Sequence, residues 1–217
     1  MNLRKQYAEE TRRSIIKAAR KLFAERGYLK TRVEDIASLA GVAAVTVYTS
    51  VGGKSGILQA LIEIWTLSPI RNAAALSIEA SENPKQILEI VGRTMRSMRE
   101  EFADIIYALH DAAPFDAAVA KYLEVATQRY RGSCLMVAEK LKSLDALRPG
   151  LSVNQARDVL WFYFGYWSWF THREENGWSY DDAERWLVDA VTQALLKERG
   201  LRRSRARRAE KTSSLMS

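Results

Sequence analysis

The feature that most narrows what this chain can fold into is a pair of very short helical runs, Val33–Ala40 and Ala44–Ser50, joined through Gly41. Val33, Ile36, Ala37 and Ala40 recur at helical spacing in the first run, and Val42 before the second run and Val47 within it face them. Helices of two to three turns do not persist alone in water, so each must be locked by its neighbour. Ala37 is small enough for the two to cross closely, and Gly41 supplies the positive φ of a tight turn. Two short helices around a glycine turn carry the signature of a helix-turn-helix.

The flanking sequence completes a small helical module. A first helix is expected from about Tyr7 or Thr11 to Arg26, with Ile15, Ala18, Ala19, Leu22 and Phe23 as its stripe. Gly27 should end it in the left-handed region, with Tyr28 folding back onto Phe23. Thr31 and Glu34 have the spacing of a capping box, placing the second helix start at Thr31. Gly52-Gly53 ends the third helix, and Lys54 opens a fourth carrying Ile57, Leu58, Leu61, Ile62 and Trp65.

Beyond Pro69 the helices lengthen. Asn83-Pro84 opens one, with proline at the first helical position, and Pro114 separates it from another over about Asp116 to Leu144. Pro149-Gly150 is a break. Ser152 with Gln155 has capping-box spacing and opens a single aromatic-rich helix to about Arg173; Gly177 ends it, and Ser179 with Asp182 marks the last, closing near Gly200. The fold class is therefore all-α, with about nine helices: an N-terminal three-helix helix-turn-helix domain over residues 1–53 and a C-terminal helical domain over 54–200. The Arg-rich tail over 201–217 is expected to be disordered.

Charge separates the same regions. Residues 1–65 hold 11 Lys/Arg against 6 Asp/Glu, residues 66–196 hold 14 against 18, and residues 197–217 hold 8 against 2, so the net +7 is carried by the two ends. A basic end on a mildly acidic body suits a polyanion-binding module attached to a domain with another task. One cysteine, Cys134, excludes an internal disulfide and reads as a small buried hydrophobe. The N-terminus lacks a signal-peptide core, and the strongest apolar run, Val159 to Thr171, falls short of a span, so a cytoplasmic location and no membrane partner are expected.

Residues 11–58 resemble the DNA-binding domain of the TetR family of bacterial transcriptional regulators. The matching run is Thr31-Arg32-Val33-Glu34-Asp35-Ile36-Ala37, Ala40-Gly41-Val42, Thr46-Val47-Tyr48, Lys54 and Leu58, with Ala18-Ala19, Leu22-Phe23-Ala24-Glu25 and Gly27-Tyr28 before it. The chain departs from the family at Ala43, where serine usually caps the recognition helix, at Val51, usually aromatic, and at Gly53, usually polar. The resemblance implies a ligand-responsive regulator, most often a repressor, that binds a palindromic operator in double-stranded DNA as a homodimer. It implies phosphate contacts from Thr31, Arg32, Thr46, Tyr48 and Lys54, and base contacts from Val45, Thr49 and Ser50. The family's dimer interface would fall on residues 152–174 and 180–199.

The C-terminal domain shows no nucleophile–base pair, phosphate loop or metal spacing, and its two histidines, His110 and His172, are far apart, so neither enzyme nor cofactor nor metal is expected. The run Trp161-Phe162-Tyr163-Phe164-Gly165-Tyr166-Trp167-Ser168-Trp169-Phe170 puts aromatics on every helix face, more than one core can use. One face is assigned to dimerisation, with Gly165 allowing close approach, and inward rings to a cavity for a small hydrophobic effector. The candidate lining is Met95, Met98, Arg99, Phe102, Tyr107, His110, Tyr130, Phe164 and Trp167. The alternative is an enzyme or carrier acting on small hydrophobic molecules.

Overall fold

The computed structural model describes residues 3–197; the expected disordered tail lies outside them. Among the described residues the secondary structure is helical apart from one isolated bridge between Leu147 and Leu196. The α-helices in chain order are α1 (Leu3–Arg26), α2 (Val33–Ala40), α3 (Ala44–Val51), α4 (Gly53–Thr66), α5 (Pro69–Ala80), α6 (Pro84–Ala112), α7 (Ala117–Ser143), α8 (Val153–Phe164), α9 (Tyr166–Phe170) and α10 (Tyr180–Leu195), with a π-helical turn over Thr171–Glu175.

The described residues form two compact units. The first takes those up to Ser68 together with Glu101–Gln128; the second takes Pro69–Glu100 and those from Arg129 onward. In the first unit α1 packs on α2, α3 and α4 through Ile15, Ala18, Ala19, Leu22 and Phe23, all buried as the stripe predicts. Gly27 ends α1 at φ 78°, its N–H donating to Phe23 O at 2.9 Å, and Tyr28 returns to put its ring 5.3 Å from that of Phe23. Arg20 then ties α1 to α6: its guanidinium meets both oxygens of Asp104, at 2.5 and 2.9 Å.

The second helix starts later than its spacing suggests. Val33 is its first residue and Arg32 its cap. The Thr31 hydroxyl does not cap; it points inward and donates to the carbonyls of Gly27, at 2.8 Å, and Leu22, at 3.3 Å. Gly27 lies just past the end of α1, so its carbonyl has no intrahelical partner, and bonding it in the interior outweighs an exposed cap. Asp35 instead accepts from the Arg32 amide at 3.4 Å.

In the second unit, the Ser152–Gln155 and Ser179–Asp182 caps form as expected, with Gln155 N and Asp182 N donating to the serine hydroxyls at 3.2 and 3.0 Å. The aromatic helix does not run unbroken to Arg173. It stops at Gly165, which adopts ψ −179°, resumes for five residues as α9 and then widens into the π-turn. A Cβ at 165 would lie 2.4 Å from the carbonyl oxygen of Trp161. This glycine permits a close contact inside the chain, where the sequence suggested close approach between chains. The break lets Phe164, Tyr166, Trp169 and Phe170 all be buried, leaving Phe162 and Trp167 exposed.

Candidate functional site

The recognition helix α3 is fixed from beneath. Val47 and Val51 are buried, Gly41 turns the chain at φ 70°, and the Val42 amide donates to Ala37 O at 3.0 Å. Ala43 caps α3 with no side-chain hydrogen bond, so the stabilisation a serine would add, ~1 kcal/mol, is lacking. Arg12 compensates at the other end, its guanidinium reaching the Ser50 carbonyl at 3.5 Å; this α1 residue carried no motif that would have singled it out.

What remains outside is the face that matters. Val45 is 66% exposed and Tyr48 56% exposed, with Thr49 beside them. The Thr49 hydroxyl is turned back onto the carbonyls of Val45 and Thr46, so its methyl faces outward with Val45. Gly53 leaves room for the Tyr48 ring, since a Cβ there would meet it at 3.1 Å; Gly53 has φ 70° besides. Thr46 and Ser50 are half-buried on the flanks, and Arg32 is exposed at the start of α2. The face carries no acidic residue, and short apolar and hydroxyl side chains of this kind suit a helix that enters the major groove.

Two of the eight residues implied to touch DNA are already engaged with other elements of the protein. Thr31 is 1% exposed and spends its hydroxyl on α1. Lys54 donates to the Tyr28 carbonyl at 2.6 Å, with its ammonium 4.1 Å from the Tyr28 ring centre, and burial holds its pKa below the usual lysine range. Tyr28 in turn reaches Asp116 at 3.4 Å; burial first, then the Asp116 charge, pushes its phenol up to about 12.

Of the nine expected cavity residues, the second unit brings four together. The Tyr130 hydroxyl lies 2.5 Å from Met95 Sδ and donates to the Phe164 carbonyl, which also accepts from Arg99 Nη2 at 3.5 Å. Met98 is buried in the same unit. Phe102, Tyr107 and His110 fall in the first unit, where Phe102 lies under the Arg20 guanidinium. Trp167 is 61% exposed and packs edge-on against Phe170. The cluster gains two rings that were not singled out: Tyr166 and Trp161, with centroids 5.8 and 5.2 Å from that of Tyr130.

A separate open groove of about 450 Å³ is lined by Trp178, Asp182, Arg185, Trp186 and Asp189. At its edge His172 stacks on Trp178, centroids 4.5 Å apart and planes 8° from parallel. Burial of the imidazole lowers its pKa from 6.5, so the fold favours the neutral ring. The stabilisation is present above pH 6.5 and is lost as pH falls through the lower folded midpoint. With two histidines in the chain, a proton NMR titration reads this directly. One imidazole is expected to titrate below 6.5, and His172→Asn should flatten the acid side of the stability profile. A His172 midpoint above 6.5 would contradict the stacking account.

The three-helix arrangement, its glycine turn and the bare outer face of α3 define a helix-turn-helix domain of the DNA-reading kind. Residues 15–61 match the family model described as bacterial regulatory proteins, tetR family. Over 59 residues the chain is 42% identical to the HTH-type transcriptional regulator TtgR of Pseudomonas putida, and equally to the probable HTH-type transcriptional regulator ArpR of the same species. The match takes in 27% of this chain and 28% of each relative, so the chain matches only about a quarter of the length of these curated relatives. The fold extends further. NalD of Pseudomonas aeruginosa, the secondary repressor of the MexAB-OprM multidrug efflux pump, is similar with a TM-score of 0.70 at 20% identity over 88% of this chain and 98% of its own. The transcriptional regulator FadR of Bacillus subtilis, solved with stearoyl-CoA, gives 0.70 at 19% over 83% and 97%. SmeT, solved with triclosan, gives 0.70 at 19% over 86% and 92%. No helix among the described residues is long and apolar enough to cross a membrane.

Proposed function

We propose that this protein is a ligand-responsive transcriptional regulator, a repressor, that binds a palindromic operator as a homodimer and leaves it when a small hydrophobic effector occupies the C-terminal domain. The single observation that carries the proposal is the outer face of α3, with Val45 and Tyr48 exposed and no acid beside them. In this reading residues 1–53 are the DNA-binding domain, 54–200 the effector and dimerisation domain, and the protein works in the cytoplasm. Arg32, Thr46 and Tyr48 hold phosphates, and Val45, Thr49 and Ser50 face bases, with Val45 suited to a thymine methyl. Thr31 supports the turn from inside, and Lys54 must leave the Tyr28 carbonyl to reach a phosphate.

A second copy is the natural cover for Phe162 and Trp167, and for Trp186 of α10, which expose large apolar rings on residues 152–174 and 180–199. Dimerisation would set two α3 helices about 34–36 Å apart, one turn of DNA. An effector acts by preferring the dimer conformation with a different spacing. Triclosan in the neighbour SmeT and the stearoyl chain of the ligand in FadR, with the buried rings here, support a hydrophobic effector.

The test is selection of a binding site from random duplex, followed by fluorescence anisotropy across a salt series. The expected result is a palindrome bound with a slope of roughly −0.9 in log affinity against log salt per phosphate contact. Selection of no palindrome, with affinity independent of salt, would remove the proposal.

A further inference from the structure

Arg99, on α6, is 2% exposed. A cation this deep ordinarily has a carboxylate against it. Arg96, one turn away on α6, pairs with Glu100, Asp181 and Glu184. Arg99 makes no ion pair among the described residues, and its Nε has no hydrogen-bond partner. Its compensation is partial. Nη2 reaches the Phe164 carbonyl at 3.5 Å, an acceptor already used by the Tyr130 hydroxyl. The guanidinium lies 5.1 Å from the Tyr166 ring centre and 5.9 Å from that of Tyr130.

The Phe164 carbonyl is available because α8 stops at Gly165, leaving its last carbonyls without intrahelical donors. A helix C-terminus offers roughly half a negative charge, and a ring face attracts a cation only through its quadrupole. Neither equals a full countercharge. Arginine keeps its proton in any protein environment, so it cannot escape by neutralising itself. Its planar fork of N–H donors matches the two oxygens of a carboxylate.

We infer that the effector is an organic carboxylate whose head pairs with Arg99 and whose apolar body lies on Tyr130, Tyr166 and Trp161. This rests on the effector reading above. The head carries one charge: Arg131, the other cation at these rings, stands 5.6 Å over Trp161 and is already bound to Asp158 at 2.7 Å. A phosphate ester would leave its second charge unanswered.

The experiment uses the purified full chain, with calorimetry and thermal shift against a panel of short- to medium-chain monocarboxylates and arylalkanoates such as 3-phenylpropionate. Each acid is measured beside its neutral amide. At least one acid is expected to bind about tenfold more tightly than its amide or better. Arg99→Gln should erase the difference while binding the amide as the parent does. Without any ligand, Arg99→Met should melt at or above the parent, since it removes a buried charge that the empty protein leaves unmatched. The inference is overturned if no acid outranks its amide, if Arg99→Gln keeps the preference, or if Arg99→Met melts well below the parent. Operator anisotropy with the same panel separates the two claims. Neutral amides that release DNA while the acids do not would overturn the carboxylate and spare the regulator. Acids that bind through Arg99 without releasing DNA would keep the site and remove its role as the effector site.

Discussion

Gly56→Ala is expected to unfold the N-terminal unit and abolish operator binding. Gly56 sits in the first turn of α4, and a Cβ there would lie 1.7 Å from the Val51 carbonyl oxygen and 2.8 Å from its carbon. The obstacle is backbone, at the end of α3, so no side-chain rotation relieves it. Adding one methyl to a packed interior typically costs about 1–3 kcal/mol, and a clash with main chain belongs at or beyond the upper end. That is a large part of the ~5–15 kcal/mol that holds a domain together. The chain has no slack nearby, because Gly52 and Gly53 already turn it at φ 77° and 70°. Separating α4 from Val51 pushes the end of the recognition helix off its buried support. Circular dichroism melts with operator anisotropy check this, and Gln59→Ala, on the exposed side of α4, is the control expected to change neither. A Gly56→Ala chain that melts within a few degrees of the parent would show that the α3–α4 junction is looser than its geometry implies.

Gly56 also shows where the sequence stops being readable. Gly27 and Gly41 announce themselves, since each follows a run of helical periodicity and each takes a positive φ. Gly56 and Gly165 lie within helical patterns, and what they are for depends on which carbonyl approaches them, a tertiary fact without local sign. Thr31 teaches the same lesson in another form. Its spacing to Glu34 matches a cap, yet its hydroxyl turns toward the carbonyls of Gly27 and Leu22, and spacing does not say which way it turns. The cores of α1 and α4 were legible because period 3.6 and burial coincide there. In the second unit, chemistry-bearing residues such as Arg99 and Tyr130 stood out by type. Their partners did not, because Tyr166 was one ring among many until the break at Gly165 turned it inward.

Thr49→Glu is expected to cost about 100-fold or more in operator affinity while leaving the fold intact. The two readouts part company for a physical reason. Thr49 is exposed, and its hydroxyl bonds only to carbonyls of its own helix, so no packing is lost by replacing it. Glutamate has the higher helix propensity, so the melting temperature should hold or rise slightly. The new carboxylate sits one turn from Val45, on the face assigned to the groove, where like-charge juxtaposition costs several kcal/mol. Because that penalty is electrostatic, it should shrink as salt screens it. The gap between variant and parent is therefore expected to be widest at low ionic strength and to narrow as salt rises, a pattern that misfolding does not produce. Val45→Ala at the neighbouring position should cost far less, ~1 kcal/mol, and mainly at one base pair if its methyls meet a thymine. If Thr49→Glu binds the selected operator within about threefold of the parent at low salt, the outer face of α3 does not meet DNA, and the assignment of Val45, Tyr48 and Thr49 to the interface fails with it.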